Sequence, residues 1–405
     1  MKKHILVIAQ YFYPEQFRIN DICTEWVKKG YKVTVITGIP NYPQGKYYPG
    51  YSLFKKRKET YNGVNVVRIP LVPRGNSKIM LALNYVSFVI SGFFWQNFTK
   101  IKADFVFIFE VSPMTQALPG VWYAKKRNLP CYLYVQDLWP ENVEIITGLN
   151  NKYIINSIGK MVDYIYSNCN KIFATSQSFV NAICSRGVAE DKVESWPQYA
   201  EDFYQPMESS STTEIPNDEY FNIVFAGNIG EAQGLDVLPK TAEILKNQKT
   251  KVRFNIIGDG RYKDELIKLV NDLEVSNYFN FIPRQPSSKI PEFLASSDAA
   301  FLGLSDSPLF KMTIPAKLQS YMACGIPTLA SAAGETAKII EESNSGLCGA
   351  PGDPHILAVN ILKLINHDEY GLKLMGVNAR NYYKDNFDKK KLLNQMELYF
   401  NINRT

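Results

Sequence analysis

Histidine is scarce: the chain has three, His4, His355 and His367, and no motif links them. It also lacks an aspartate-x-aspartate pair and any cysteines at metal-ligand spacing, so the sequence offers a divalent ion no evident ligand set and no metal is expected. The six cysteines, Cys23, Cys131, Cys169, Cys184, Cys324 and Cys348, stand singly and read as reduced, buried thiols of a reducing compartment. No run of five or six basic residues occurs, and a net charge of +6 does not single out nucleic acid; an anionic small molecule or membrane surface fits it as well. No GxGxxG follows the first apolar strand, which argues against a nicotinamide dehydrogenase. Met1-Lys2-Lys3 precedes an apolar run that stops at Gln10. That is short of the roughly 7–15 residues of a leader's apolar region, so a buried first strand in a cytoplasmic chain is expected.

Apolar residues make up 46% and charged residues 21% of the chain, the balance of a globular protein with a sizeable core. Its 405 residues exceed one core and predict two domains of roughly 100–200 residues each. Short apolar runs alternate with amphipathic segments: His4–Ala9, Lys32–Gly38, Val64–Ile69, Phe105–Phe109, Cys131–Val135 and Lys171–Ala174 first. Asn222–Ala226, Arg253–Ile257, Tyr278–Ile282, Ala299–Leu302 and Thr328–Ala330 follow. Strands apolar on both faces, with helices between them, indicate parallel sheets covered by helices. The fold class is therefore α/β, with two Rossmann-like doubly wound parallel-sheet domains facing across a cleft. The expected boundaries are 1–200, a polar linker 201–220 containing Ser209–Thr213, a second domain 221–375, and a terminal helical segment 376–405 capped by Asp388. Ligands of such sheets sit at the carboxyl ends of strands, so the site is expected in the cleft.

Ile79–Trp95 is the most membrane-like stretch, apolar apart from Asn84, Ser87 and Ser91 and the small Ala82 and Gly92. It falls short of the roughly 20 residues of a bilayer span. A helix buried in the first domain, a helix touching the membrane interface and an inserted span all remain open readings.

Three turns in the second half bear on anion binding. Gly227-Asn228-Ile229-Gly230, with Gln233-Gly234, follows an apolar strand and precedes a helix; glycines permit close approach, and a helix N-terminus attracts anions. An ordinary strand-to-helix turn would look the same. Gly258-Asp259-Gly260-Arg261 repeats the pattern more weakly, Arg261 reading as a solvated helix residue. Met312-Thr313-Ile314-Pro315-Ala316-Lys317 then opens a helix ending at Gly325. Lys317 in a first turn opposes the helix dipole unless an anion is bound there. A solvated lysine is the plainer alternative.

In the first half, Tyr11-Phe12-Tyr13-Pro14-Glu15, Asn41-Tyr42-Pro43 and Asp137-Leu138-Trp139-Pro140-Glu141 all follow proposed strands. Their aromatic and polar mixture suits stacking and hydrogen bonding of a sugar, with Tyr11, Tyr13, Glu15, Asn41, Tyr42 and Trp139 as acceptor-binding candidates. Asp137 and Glu141 are the carboxylates best placed for catalysis, although either would also serve as a helix cap.

In order and spacing, Tyr11–Glu15, Asn41–Pro43 with Gly45, Asp137–Glu141, Gly227–Gly234, Gly258–Gly260 and Pro315–Pro327 resemble the retaining family 4 glycosyltransferases of the GT-B fold over essentially the whole chain. The likeness is greatest to the bacterial N-acetyl-L-fucosamine transferase subgroup of capsule and O-antigen synthesis. The resemblance implies transfer of an N-acetylated amino sugar from a UDP-sugar to a polyprenyl-diphosphate-linked saccharide at the inner face of the cell membrane. It implies retention without a metal or cofactor, and a last helix crossing back to the first domain. Gly227, Asn228, Gly230, Gln233, Gly234, Gly258, Gly260, Arg284, Met312, Thr313 and Lys317 are the residues it assigns to the donor. The family's two glutamates, with seven residues between them, correspond here to Met312 and Ser320, and the basic pair of the first glycine loop to Asn228 and Gln233. Diphosphate binding would then fall on Lys317, backbone N–H groups and Arg284. The alternatives are a sugar-nucleotide epimerase and a non-catalytic nucleotide-sugar-binding protein of the same fold.

Overall fold

The computed structural model describes residues 3–401, apart from 144–147, 149–150, 209–211 and 213. The Ser209–Thr213 run, Thr212 excepted, thus lies outside the described residues. The chain divides into two compact units, residues 1–196 with 395–405, and residues 197–394.

The first unit is an eight-stranded sheet in the order β3-β4-β2-β1-β5-β6-β7-β8. Its strands are β1 His4–Ile8, β2 Lys32–Thr37, β3 Lys58–Tyr61, β4 Val64–Arg68, β5 Phe105–Glu110, β6 Cys131–Val135, β7 Lys171–Ala174 and β8 Val193–Ser195. β5 and β6 are buried throughout and β1 from Ile5 on, which is why they read as apolar runs. The sheet is parallel, as expected, except at its edge. There β3 runs antiparallel to β4 through the turn Asn62-Gly63, at φ 46° and 81°, the geometry of a tight two-residue hairpin. The sequence of β3, Lys-Glu-Thr-Tyr, alternates between exposed and half-buried positions and so carries no apolar run.

The second unit is a six-stranded, fully parallel sheet in the order β11-β10-β9-β12-β13-β14. It comprises β9 Phe221–Asn228, β10 Val252–Asp259, β11 Phe279–Ile282, β12 Ala299–Gly303, β13 Thr328–Ser331 and β14 Gly346–Gly349. The residues expected to form a linker belong in part to this unit, because Tyr204 and Ile215 are buried in its core beside Leu294 and Leu302. The boundary placed at 375/376 falls inside one helix, Glu369–Asn386.

The chain's end returns to the first unit. Asp388 accepts the Lys391 N–H at 2.8 Å and so caps the helix Lys389–Asn401. Phe400 stacks on Phe105 with centroids 4.4 Å apart and lies 5.2 Å from Trp26, edge to face. Truncating a buried phenylalanine costs about 3–5 kcal/mol. Phe400→Ala is therefore expected to shift the first unit's urea unfolding midpoint sharply downward; an unchanged midpoint would mean that the last helix adds nothing to that unit.

Candidate active site

In an open parallel sheet, ligands collect outside the carboxyl ends of the strands where the strand order reverses. In the second unit that point lies between β9 and β12. The two strand-end loops are bound together there: Ser305 donates its N–H to the Ala232 carbonyl at 3.0 Å and its hydroxyl to the Glu231 carbonyl at 2.7 Å. Gly234, at φ 53°, lies 3.5 Å from the Leu304 backbone as measured from where its Cβ would stand. Within the first loop, the Gln233 side-chain oxygen accepts the Gly230 N–H at 3.1 Å and faces Asn228 Nδ2 at 3.4 Å. The loop after β10 packs from the other side, with the Ile229 N–H donating to the Asp259 carbonyl at 2.9 Å. A Cβ on Gly258 would stand 1.9 Å from the Gly227 oxygen, and one on Gly260 2.1 Å from the Ile229 oxygen. These two turns need glycine because backbone occupies the side chain's place.

Lys317 comes up under this cradle. Pro315 is the N-cap of the helix Ala316–Cys324, so Lys317 is the second residue of the helix. The amine sits 3.7 Å from the centroid of the Phe225 ring. It fills the place of the missing Gly227 side chain, whose Cβ would lie 2.8 Å from Nζ. Among the described residues no carboxylate or hydrogen-bond acceptor engages the amine, and burial lowers its pKa to about 7. An ammonium held over a ring face and a first helical turn, without a counter-ion, is an arrangement that a bound anion completes.

The remaining donor candidates are less directly placed. The Thr313 hydroxyl donates to the Leu309 carbonyl at 2.9 Å, and Met312 ends the short helix Pro308–Lys311. Ser320, where the family's second glutamate would stand, is buried and donates to the Ala316 carbonyl at 3.2 Å. Arg284 is exposed beyond the edge strand β11, away from the strand reversal.

In the first unit the strand order reverses between β1 and β5, and the aromatic loops gather on that side. Four of their residues differ from expectation in being buried and used internally. Glu15 accepts the N–H groups of Asn41 at 2.8 Å, Tyr42 at 2.7 Å and Phe12 at 3.3 Å. It therefore ties two loops together rather than facing a ligand. Asn41 accepts the Arg74 N–H at 2.9 Å. Tyr11 stacks on Phe17 with centroids 5.3 Å apart, and burial raises its pKa. Trp139 donates its indole N–H to the Ser112 hydroxyl at 3.1 Å. Aromatic rings are good apolar filling, so a loop rich in them covers itself before it covers a sugar. Tyr13 and Tyr42 remain accessible, Tyr13 stacked on Tyr61 and Tyr42 beneath the Arg74 guanidinium.

Of the two carboxylates, Asp137 is the enclosed one. Its Oδ2 accepts the Ser112 N–H at 2.7 Å, and burial raises its pKa against the pull of Ser112. Glu141 is exposed and lines a separate hollow of about 540 Å³ with Lys152, Lys160 and Arg186. Sequence reasoning missed Glu110, the last residue of β5. Its carboxyl is fully buried with no well-formed hydrogen bond to either oxygen. Burial and then the nearby Asp137 charge push it well above the usual range, while the N–H groups of Asp137 and Gln136 pull the other way. A carboxylate closing an otherwise apolar strand was the available signal.

Residues 208–390 match the family model described as Glycosyl transferases group 1. The whole chain is similar to WcaI of Escherichia coli (strain K12), assigned to colanic acid biosynthesis as a glycosyl transferase, with 26% identity over 96% of this chain and 98% of that one. Among solved structures, the sucrose-phosphate synthase of Thermosynechococcus elongatus superposes with a TM-score of 0.77 at 15% identity, covering 98% of both chains. Anabaena Alr3699/HepE, solved with UDP and glucose, superposes with a TM-score of 0.69 at 15% identity, covering 98% of this chain and 99% of that one. The fold is GT-B, as the sequence resemblance implied. The matched residues contain the glycine cradle and Lys317 together.

Burial raises the Glu15 pKa to about 7 against the pull of its three N–H donors. Below the unfolded carboxyl's pKa both states are protonated. As pH rises toward 7 only the unfolded state ionises, so stability falls by on the order of 3 kcal/mol. Glu15→Gln is expected to flatten this slope in urea unfolding measured from acid to neutral pH; a parent protein equally stable across that window would remove the raised carboxyl.

Proposed function

We propose that the chain is a retaining glycosyltransferase that moves an N-acetylated amino sugar from a UDP-sugar to a polyprenyl-diphosphate-linked saccharide. The product would enter a capsule, O-antigen or related exopolysaccharide, and the enzyme would work peripherally at the inner face of the cell membrane. The observation that carries the reading is the uncompensated Lys317 amine beneath Gly227, at the strand reversal of the second unit. It is a built place for a diphosphate. The assignment of WcaI to colanic acid biosynthesis supports the polysaccharide context, and the UDP and glucose in the HepE structure support the donor class. N-acetyl-L-fucosamine is the sugar we favour, from the resemblance of the strand-end motifs.

Lys317 and the N–H groups of the Gly227–Gly234 loop would hold the donor diphosphate and stabilise it as it leaves. Their effect is greatest at the negative charge that grows as the glycosidic bond breaks. A diphosphate oxygen would take the proton of the incoming hydroxyl on the face from which the diphosphate departs, which gives retention. With Met312 and Ser320 where the family has glutamates, the sugar would meet fewer carboxylates than in most relatives. In the first unit, Ser112 orients Asp137 and Glu15 fixes the Tyr42 loop, positioning tasks that set where an acceptor hydroxyl lies.

A charge-assisted contact of about 1.5–3 kcal/mol predicts that Lys317→Ala weakens UDP binding roughly ten- to a hundredfold while uridine binding is unchanged. Equal UDP affinity in the folded variant would remove Lys317 from the donor site. The pH dependence is also specified. A bound diphosphate raises the lysine pKa again, so UDP affinity in the parent falls as pH rises from about 7, and in Lys317→Ala that fall is absent. Transfer should persist in EDTA; activity that vanishes and returns with magnesium or manganese would overturn the metal-free mechanism.

A further inference from the structure

The helix Lys78–Phe98 is apolar on its outer face as well as its inner one. Its buried face carries Asn84 and Gln96 beside Tyr85, Phe88 and Gly92, while much of its apolar surface points away from the unit. Asn84 is fully buried, accepting from Gln10 Nε2 at 2.8 Å and donating to the Val72 carbonyl at 2.6 Å and to Asn41 Oδ1 at 3.4 Å. Ser87 accepts the Val72 N–H at 2.9 Å. Gly92 fits so closely that a Cβ there would lie 2.2 Å from Pro119. On the opposite face Ile79, Leu83, Val86, Ile90, Phe94 and Phe98 are between 48% and 79% exposed. They recur every three or four residues along 21 residues, which makes one continuous stripe on the helix. An exposed apolar stripe of this length on a folded unit marks an interaction surface.

The charges around the stripe identify its partner. Residues 74–102 contain Arg74, Lys78, Lys100 and Lys102 and neither aspartate nor glutamate. The adjoining helix Leu118–Arg127 adds Lys125, Lys126 and Arg127, again with no acidic residue. Lys126 reaches Asn97 at 2.8 Å and Arg127 the Gln96 carbonyl at 3.2 Å, so this basic group adjoins the stripe's end. Aromatic residues accompany it, Phe93 edge-on to Trp122 and Trp95 stacked on Tyr123. Apolar stripe, aromatic residues and unopposed cations are what an anionic phospholipid surface takes up, with the helix lying in the interface plane. A second copy of the chain docking here would set like charges against like, since a two-fold contact pairs a patch with itself. A spanning helix would forfeit the Asn84 and Ser87 hydrogen bonds, which are costly to lose in hydrocarbon.

We propose that the outward face of Lys78–Phe98 is the surface by which this protein docks on an anionic phospholipid bilayer. The inference deepens the reading of the first unit as the acceptor side, and rests on that reading for the lipid's relevance. The docking helix is also bonded to the acceptor loops, because Asn84 contacts Asn41, whose N–H is held by Glu15. Bilayer contact and loop position thus share one hydrogen-bonded cluster.

The full chain should float with vesicles of phosphatidylcholine mixed with phosphatidylglycerol, and only weakly with phosphatidylcholine alone. Ile90→Glu with Phe94→Glu should abolish flotation, and Lys125→Ala with Lys126→Ala should weaken it about thirtyfold on the anionic vesicles only. Circular dichroism and UDP titration of the same variants report folding and the second unit separately. A failed donor reading would therefore leave flotation intact, and a failed docking surface would leave UDP binding intact. Flotation of the parent that the glutamates do not reduce, or no flotation of the parent, overturns the proposal. So does a parent dimer that the glutamates dissociate, or resistance of the membrane-bound protein to alkaline carbonate.

Discussion

The close approach of two strand ends governs the second unit. β9 and β10 pair in register as far as Gly227 opposite Gly258 and Asn228 opposite Asp259, and Gly258 has no room for a side chain above the Gly227 carbonyl. Because Gly227 has none either, Lys317 can lie against the strand end instead of reaching into solvent. The position of one amine therefore depends on what is missing from another residue. Its lowered pKa follows from the same enclosure. A cation held partly desolvated and unpaired is costly in the free protein, and that cost is the form in which binding energy for an anion is stored.

Much of this was legible in the sequence, and the reasons are specific. The buried parallel strands were visible as apolar runs, and the glycine turns as punctuation after them. Lys317 stood out because its helix-dipole conflict is a local property. Elements whose signal is distributed were not visible. β14 is Gly-Leu-Cys-Gly, weak in strand propensity, and forms because the β13 edge is there to pair with. β3 is polar, and its one sign is the turn Asn62-Gly63. The acceptor loops show the opposite limit: sequence shows that Tyr11, Glu15, Asn41 and Trp139 cluster after strands but not which of them bury one another.

The helix Lys78–Phe98 shows why periodicity alone left three readings open. Asn84, Ser87 and Ser91 mark one face, and the usual rule would turn that face to water. Here Asn84 and Ser87 serve the backbone of the segment before the helix through Val72, so the polar face is the buried one. Hydrogen-bonding demand at a loop shares the buried face with Tyr85 and Phe88, which leaves the helix's other apolar side chains outside. An outward apolar face of this length is favoured where it is covered or lies against a medium that does not penalise it.

That requirement connects the two halves of the first unit's role. A lipid-linked acceptor has its reactive sugar just above the headgroups and its anchor below them, so a protein that uses it must fix its own height above the membrane. A helix lying in the interface sets that height. Asn84 then transmits it through Asn41 to the loop held by Glu15, where Tyr42 remains accessible. With the docking proposed above, placing the helix's polar contacts on the Asn41–Tyr42 loop, rather than on solvent, would make the position of that loop a consequence of where the bilayer is.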